Sequence, residues 1–296
     1  MTRHRTATRG GLFLLVTAFF GICAGAFAAP AGKVPKLVFP VIGEHQLTNS
    51  FGDARGSRSH EGEDIMAPRK ATVVATEAGT VKFWTTSARA GCMLYLYGKS
   101  GTEYLYIHLN NDLTAKNDNR GTCVPGVAYW PGLESGDEVE AGQPIGFNGD
   151  SGDANAAGPH LHFEIHPNGG GAVAPYKYLL KADHLLFAAP LGSRFSLALN
   201  GTVTAVGGST VTLDVAQLRF WPGSLKLGEV AKPVTVSLPP TTLFERRTSI
   251  VGGANDTKLL RLGARIVIWT EPGGVTEAAR RGDDGALVAK RIVLAD

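Results

Sequence analysis

The sequence predicts a mainly β protein: an antiparallel β-sheet domain followed by a small β-barrel-like domain. Three observations carry this. Short stretches rich in aromatic and β-branched residues recur along the chain, bounded by clusters of Gly, Asp, Asn and Ser. Several of them alternate with period two, as Val211, Leu213 and Val215 do against Thr210, Thr212 and Asp214. No long amphipathic helix pattern, internal repeat or low-complexity tract interrupts them. The 296 residues, 44% hydrophobic and 19% charged, suffice for one or two cores.

In chain order, residues 1–28 read as an export signal peptide. Arg3, Arg5 and Arg9 precede an apolar run, 11–28, that ends in Ala26-Phe27-Ala28, a small-x-small cleavage pattern. The expectation is an exported chain, periplasmic or extracellular and wall-associated, with no stable membrane association after cleavage. The alternative is an uncleaved anchor, since the run is about long enough to span a bilayer. A lipid-anchored reading through Cys23 is disfavoured by the large Ile22 before it. The three arginines account for the formal charge of +3, and the remaining chain balances 26 basic against 26 acidic residues. No nucleic-acid partner is expected of so neutral a chain, because phosphate binding needs a basic footprint.

The next strands fall at 72–76, 80–84, 93–97, 103–109 and 160–166. One short helix is predicted around Tyr176–His184, entered through Pro175. A boundary turn at 188–193 separates 29–189 from a small β-rich accessory region, 190–296. Every histidine after position 30 lies on the first side. The first side carries 13 basic and 17 acidic residues, the second 13 and 9. Strands on the second side are predicted at 198–206, 209–216, 233–238, 264–270 and 286–294, with Asn200-Gly201, Gly207-Gly208 and Gly273-Gly274 as turn signals. Two cysteines, Cys92 and Cys123, follow the leader. In an exported chain they predict a disulfide closing a loop of about 30 residues, worth roughly 3–4 kcal/mol on the chain-entropy model.

Three segments carry chemistry. His60-Glu61-Gly62-Glu63-Asp64 puts an imidazole and a carboxylate four residues apart, a donor pair that suits zinc. Gly62 and Pro68 favour an extended segment over a helix. In Tyr104-Leu105-Tyr106-Ile107-His108-Leu109, strict alternation predicts a strand. Leu105, Ile107 and Leu109 would face the core, with Tyr104, Tyr106 and His108 opposite. In Gly158-Pro159-His160-Leu161-His162-Phe163-Glu164-Ile165-His166, the histidines and Glu164 share one face, and the apolar residues the other. Imidazoles side by side repel once protonated and add nothing to an apolar core. Such a face is suited to holding a metal.

Together these residues resemble the lysostaphin-type (LytM-type) zinc metallopeptidases, peptidoglycan endopeptidases that cut peptides of the bacterial wall. The likeness rests on His60-x-x-x-Asp64 with Ala67-Pro68, Tyr106-x-His108-Leu109, and Gly158-Pro159-His160-Leu161-His162-Phe163-Glu164. Ser50-Phe51-Gly52, Gly142-Gln143-Pro144-Ile145-Gly146 and Gly149-Asp150-Ser151-Gly152 fit the same pattern. It covers about residues 47–167 and stops short of the tail. The resemblance implies a zinc metallopeptidase domain over 29–189, one Zn2+ per chain held by His60, Asp64 and His162, and catalytic roles for His108 and His160. It implies an exported zinc metalloendopeptidase acting on peptidoglycan peptides, in cross-links or stems. The alternative is a non-catalytic LytM-like binding module that activates a cell-wall amidase, although all five site positions are filled here. A third reading is an enzyme acting on other small peptides.

The sequence has no His-Glu-x-x-His, so a glutamate-base helix is not expected. Glu164 is either a partner orienting an imidazole or a solvated rim residue. His166 is read as groove rim, His45 and His184 as structural or surface residues, and Trp84, Trp130 and Trp221 as packing residues. The polar stretch 110–134 is longer than the resemblance implies and is expected to wall the groove.

Overall fold

The computed structural model describes residues 33–84, 88–221, 226–227, 230–246 and 249–295. The predicted leader, 1–28, lies outside them. Among the described residues no helix is long and apolar enough to cross a membrane.

Ala31–Asp296 forms one compact unit in which the alternating sequences build two main sheets. The first runs in the spatial order Gln46–Leu47, Glu63–Met66, His160–His166, Glu103–Leu109, Cys92–Gly98, Gly79–Trp84 and Glu138–Val139. Every neighbouring pair is antiparallel. One face of this sheet is the core. Leu161, Phe163 and Ile165 are fully buried there, as the period of two requires. The two-stranded ribbon Thr72–Val74 with Pro144–Phe147 packs nearby.

The second sheet has the long strands Arg194–Val206 and Thr210–Trp221, followed by Arg265–Thr270 and Ala289–Leu294. Val234–Ser237 pairs with Thr210–Trp221, and a bridge from Ser237 to Val288 curls the sheet back toward its other side. This is the barrel-like feature expected from the sequence. Asn200-Gly201 is not a turn. It sits at a register shift inside one 13-residue strand, where the missing Cβ matters: a Cβ on Gly201 would lie 2.3 Å from the Asp214 carbonyl oxygen. The bulge absorbs the extra residue and the chain stays in the sheet.

The two large apolar cores separate between Ala182 and Leu186, where a small third cluster of Ile42, Val74 and Leu185 sits. The predicted short helix is present over Tyr176–Leu179. The pairing of Cys92 with Cys123 is also present. It ties the start of the Cys92–Gly98 strand to the 110–134 stretch. That stretch does not wall the groove described below. Ala128, Tyr129 and Leu133 fold into the core instead, and Arg69 pairs with Asp112 and Asp150 beneath it. Arg280, on the helix Glu277–Arg281 of the second half, is almost fully buried. Its guanidinium donates to the Ala141 carbonyl of the first half at 3.0 Å.

Candidate metal centre

The site is assembled on the outer face of the first sheet. His162 stands opposite Asp64 on one neighbouring strand and Ile107 on the other. His60 opens the three-residue connection from the Arg58–Ser59 strand to the Glu63–Met66 strand. The result is a close triangle: His60 Nε2 to His162 Nδ1 is 2.8 Å, and each nitrogen is 3.0 Å from Asp64 Oδ1. Among the described residues these three side chains form the one group of His, Cys, Asp or Glu whose ligand atoms converge tightly enough for a metal ion. Gly62 makes room for it, since a Cβ there would lie 2.6 Å from His162 Nε2.

The hydrogen bonds behind the triangle fix which atoms face it. A carbonyl can only accept, so His60 donates Nδ1–H to the Ser50 carbonyl at 2.8 Å. His162 donates Nε2–H to Glu164 Oε1 at 2.9 Å. In its neutral, metal-binding form each ring therefore turns its lone pair inward. Two nitrogen lone pairs and a carboxylate oxygen then point at one small volume. They repel unless a cation lies among them. Two imidazoles and one carboxylate leave further coordination positions free, as catalytic zinc sites do. The donor set fits a divalent ion.

Glu164 is thus the imidazole-orienting partner and not a solvated rim residue. It is buried, and its other oxygen accepts from His166 Nε2 at 2.7 Å. Such outer carboxylates fix the ring and raise its basicity. A proton can stand in for the metal cation: burial by itself would depress His162, but the Asp64 and Glu164 carboxylates outweigh it and push the imidazole up to about 9, and in that protonated form Nδ1–H donates to Asp64 Oδ1. Burial would likewise raise Asp64, yet the hydrogen bond from His162 and the charges of His160 and His60 hold it well below the usual carboxylate range. Glu63, fully buried one position before Asp64, accepts from both the Ser50 amide and its hydroxyl. It stiffens the residue whose carbonyl orients His60. Burial pushes the Glu63 carboxyl up.

His108 reaches the site by a route that alternation does not predict. The predicted faces of its strand are reversed. Tyr104 and Tyr106 are the fully buried residues, and they pack against Phe163. Leu105 stands opposite Glu164 and Ile107 opposite His162, on the outer face. A regular strand would send His108 into the core with the tyrosines. Instead a register shift falls between Cys92 and Leu94 on the partner strand, and His108 has φ +62°. The left-handed backbone returns its side chain to the face of Ile107. Strain of this kind collects at functional sites.

His108 and His160 then face one another, ring centroids 5.0 Å apart. His108 donates Nδ1–H to the Ser151 carbonyl and His160 to the Gly158 carbonyl, each at 2.9 Å, which turns both Nε2 atoms to the groove, where His108 Nε2 lies 3.8 Å from Asp153 Oδ1 and His160 Nε2 3.7 Å from Asp64 Oδ1. Burial and the neighbouring His160 lower His108 to about 4. All five predicted site residues line one open groove of about 610 Å3.

The sequence reading missed the arginines of this groove. Arg55, Arg58 and Arg89 line it, and Arg55 donates to Asp64 Oδ2 at 2.6 Å. Arg55 and Arg58 lie on a small hairpin, Ala54–Arg55 with Ser59 and Arg58, too short to show a strand period. His45 and His184 stack on Phe39, away from the site.

The model of peptidase family M23 matches residues 58–120 and 129–175, so the metallopeptidase resemblance holds for that stretch. The chain is 28% identical over 151 residues to the L-Ala--D-Glu endopeptidase of Bacillus subtilis, covering 47% of this chain and 41% of that protein. It is 30% identical over 137 residues to the DD-carboxypeptidase/endopeptidase Mpg of Neisseria meningitidis, covering 45% and 27%. The chain thus spans less than half the length of these relatives. Among solved structures, a putative glycyl-glycine endopeptidase lytM from Ruminococcus gnavus aligns with 25% identity and TM-score 0.38, over 49% of this chain and 59% of that one. A zinc containing peptidase from Vibrio cholerae aligns with 25% identity and TM-score 0.37, over 51% and 41%.

Proposed function

We propose that this chain, whose residues 58–120 and 129–175 carry the peptidase family M23 match, is an exported zinc metalloendopeptidase that hydrolyses peptide bonds of peptidoglycan, in cross-links or stems. The observation that supports it most is the triangle of inward lone pairs from His60, Asp64 and His162, with two further imidazoles beside it. These three residues would hold the zinc ion. Bound there, zinc would acidify a water molecule and polarise the scissile carbonyl.

The chain's own residues do the rest. Glu164 and the Ser50 carbonyl keep His162 and His60 in the ligating tautomer. His108 and His160 are held by backbone carbonyls through Nδ1, so each offers Nε2 to the groove. One of them removes the proton of the attacking water. The other, protonated, hydrogen-bonds the developing oxyanion and delivers a proton to the leaving amine. A basic His108 would be held protonated against its burial only at a cost, which favours it as the neutral acceptor. The peptide lies in the open groove, whose arginines suit the free carboxylates of wall peptides.

The test is digestion of purified peptidoglycan, with the released fragments identified by mass spectrometry. Cleavage at a peptide bond, with zinc bound near one per chain and activity lost with chelator and in His162→Ala, is the expected result. Wall binding without cleavage by zinc-loaded protein would instead make it the non-catalytic module.

A further inference from the structure

The second sheet has a groove that folding does not account for. Its inner face holds the second core, with Leu197, Leu199, Ile268 and Ile292 buried. Its outer face should read polar. Instead Trp221, Trp269 and Leu243 lie there, along a groove of about 640 Å3. Cross-strand pairing sets the row: Trp221 opposite Ser196, Trp269 opposite Arg291, and Arg291 opposite Leu243. Trp221 is 45% exposed and Leu243 40%. Trp221, read from the sequence as a packing residue, is a surface residue.

The charges are as uneven as the apolar groups. Arg194, Lys290 and Arg291 line the groove against Glu245 alone. Arg291 stacks over Trp269, 4.9 Å from the ring centroid, with one Nη 3.5 Å from Glu245. The two indoles are 5.9 Å apart and tilted by 50°, so they form a bent platform and not a closed stack. Flat CH-rich faces suit such a platform. Hydroxyls at their edge suit the guanidinium, the Glu245 carboxylate and the Ser196 side chain of the lining. The surplus of positive charge suits a carboxylate.

We infer that this groove is a second binding site and takes a carboxylate-bearing glycan strand, the sugar rings on Trp221 and Trp269 and the carboxylate toward Arg194, Lys290 and Arg291. The inference leans on the wall-hydrolase reading only for the choice of polymer. Its probe contains no peptide bond, so the two can fail separately. The site would hold the chain on wall glycan while the first sheet works on peptide.

The experiment titrates the whole chain, followed by indole fluorescence and co-sedimentation, with peptide-free peptidoglycan glycan strands, neutral chitotetraose and an oligo-dT. Saturable binding of the glycan strands, tighter than chitotetraose and oligo-dT, is expected. Trp221→Ala and Arg291→Gln should each weaken it about tenfold, the scale of a central contact residue, while His162→Ala leaves it unchanged. Trp221 is exposed, so its removal spares the core, and an unchanged melting temperature checks this. Absent saturation, equal binding by Trp221→Ala, or preference for oligo-dT would overturn the proposal. Binding that persists in a chain found to cleave nothing would support it while ending the peptidase reading.

Discussion

The two sheets start from the same rule and use their outer faces differently. Both alternate apolar and polar residues, and both bury the apolar face. On the first sheet the outer face carries His162, Glu164 and Asp64 in adjacent strands, where register brings their polar atoms within 3 Å. On the second, the outer face carries Trp221, Trp269 and Arg291, with no histidine. The first face gathers directional lone pairs and the second gathers broad, weakly directional surface. A metal site therefore tolerates almost no displacement, whereas a stacking platform tolerates a good deal. Local backbone strain follows the same division: His108, at φ +62°, belongs to the first face.

The sharpest way to test that contrast is at the bulge. His108→Asn keeps a residue that accepts the left-handed backbone but removes the imidazole. Turnover of a peptide substrate should fall by about 10²–10⁴-fold, the range for a lost acid–base group, with the melting temperature unchanged. A comparable fall in stability would make His108 structural instead. The next effect lies behind the metal centre. Glu164→Gln keeps the shape but weakens the acceptor for His162, and zinc affinity measured by competition with a chromogenic chelator should drop by about 10–100-fold. Unchanged affinity would mean that Ser50, Glu63 and Asp64 suffice to orient the site. The smallest effect concerns the joint between the sheets. Arg280→Ala removes the bond to the Ala141 carbonyl and should cost about 1–3 kcal/mol in a denaturant melt. If the melt then resolves into two steps, the two sheets are separable folding units; a single step would keep them one.

Much of the first sheet was legible in the sequence because its strands are long enough to show a period. The 160–166 segment displays its metal face and its core face in seven letters, and the structure keeps both. The 103–109 segment shows the same period, yet its faces come out reversed. Two tyrosines bury as well as leucines when their hydroxyls find partners, and here Tyr106 accepts the Thr76 amide and Tyr104 donates to Glu77. Nothing local announces that. The arginines of the groove were illegible for another reason: they sit on two-residue strands and a loop, with no pattern to read. Trp221 was misjudged because a tryptophan at a strand end looks the same in sequence whether its outer side is covered or open.

What the sequence by itself determined is the chemistry available: which residues are imidazole or carboxylate, their alternation along each strand, the two cysteines and the mainly β class. Period and composition are local properties, and a chain cannot hide them. Tertiary structure alone decided the register of His160–His166 against its two neighbours, the bulge that turns His108 outward, and the pairing that lines up two tryptophans with an arginine. Those depend on which strands meet and in what register, whether they are near or far apart in sequence. A shift of one residue there exchanges the two faces of a strand, and with them the core and the site.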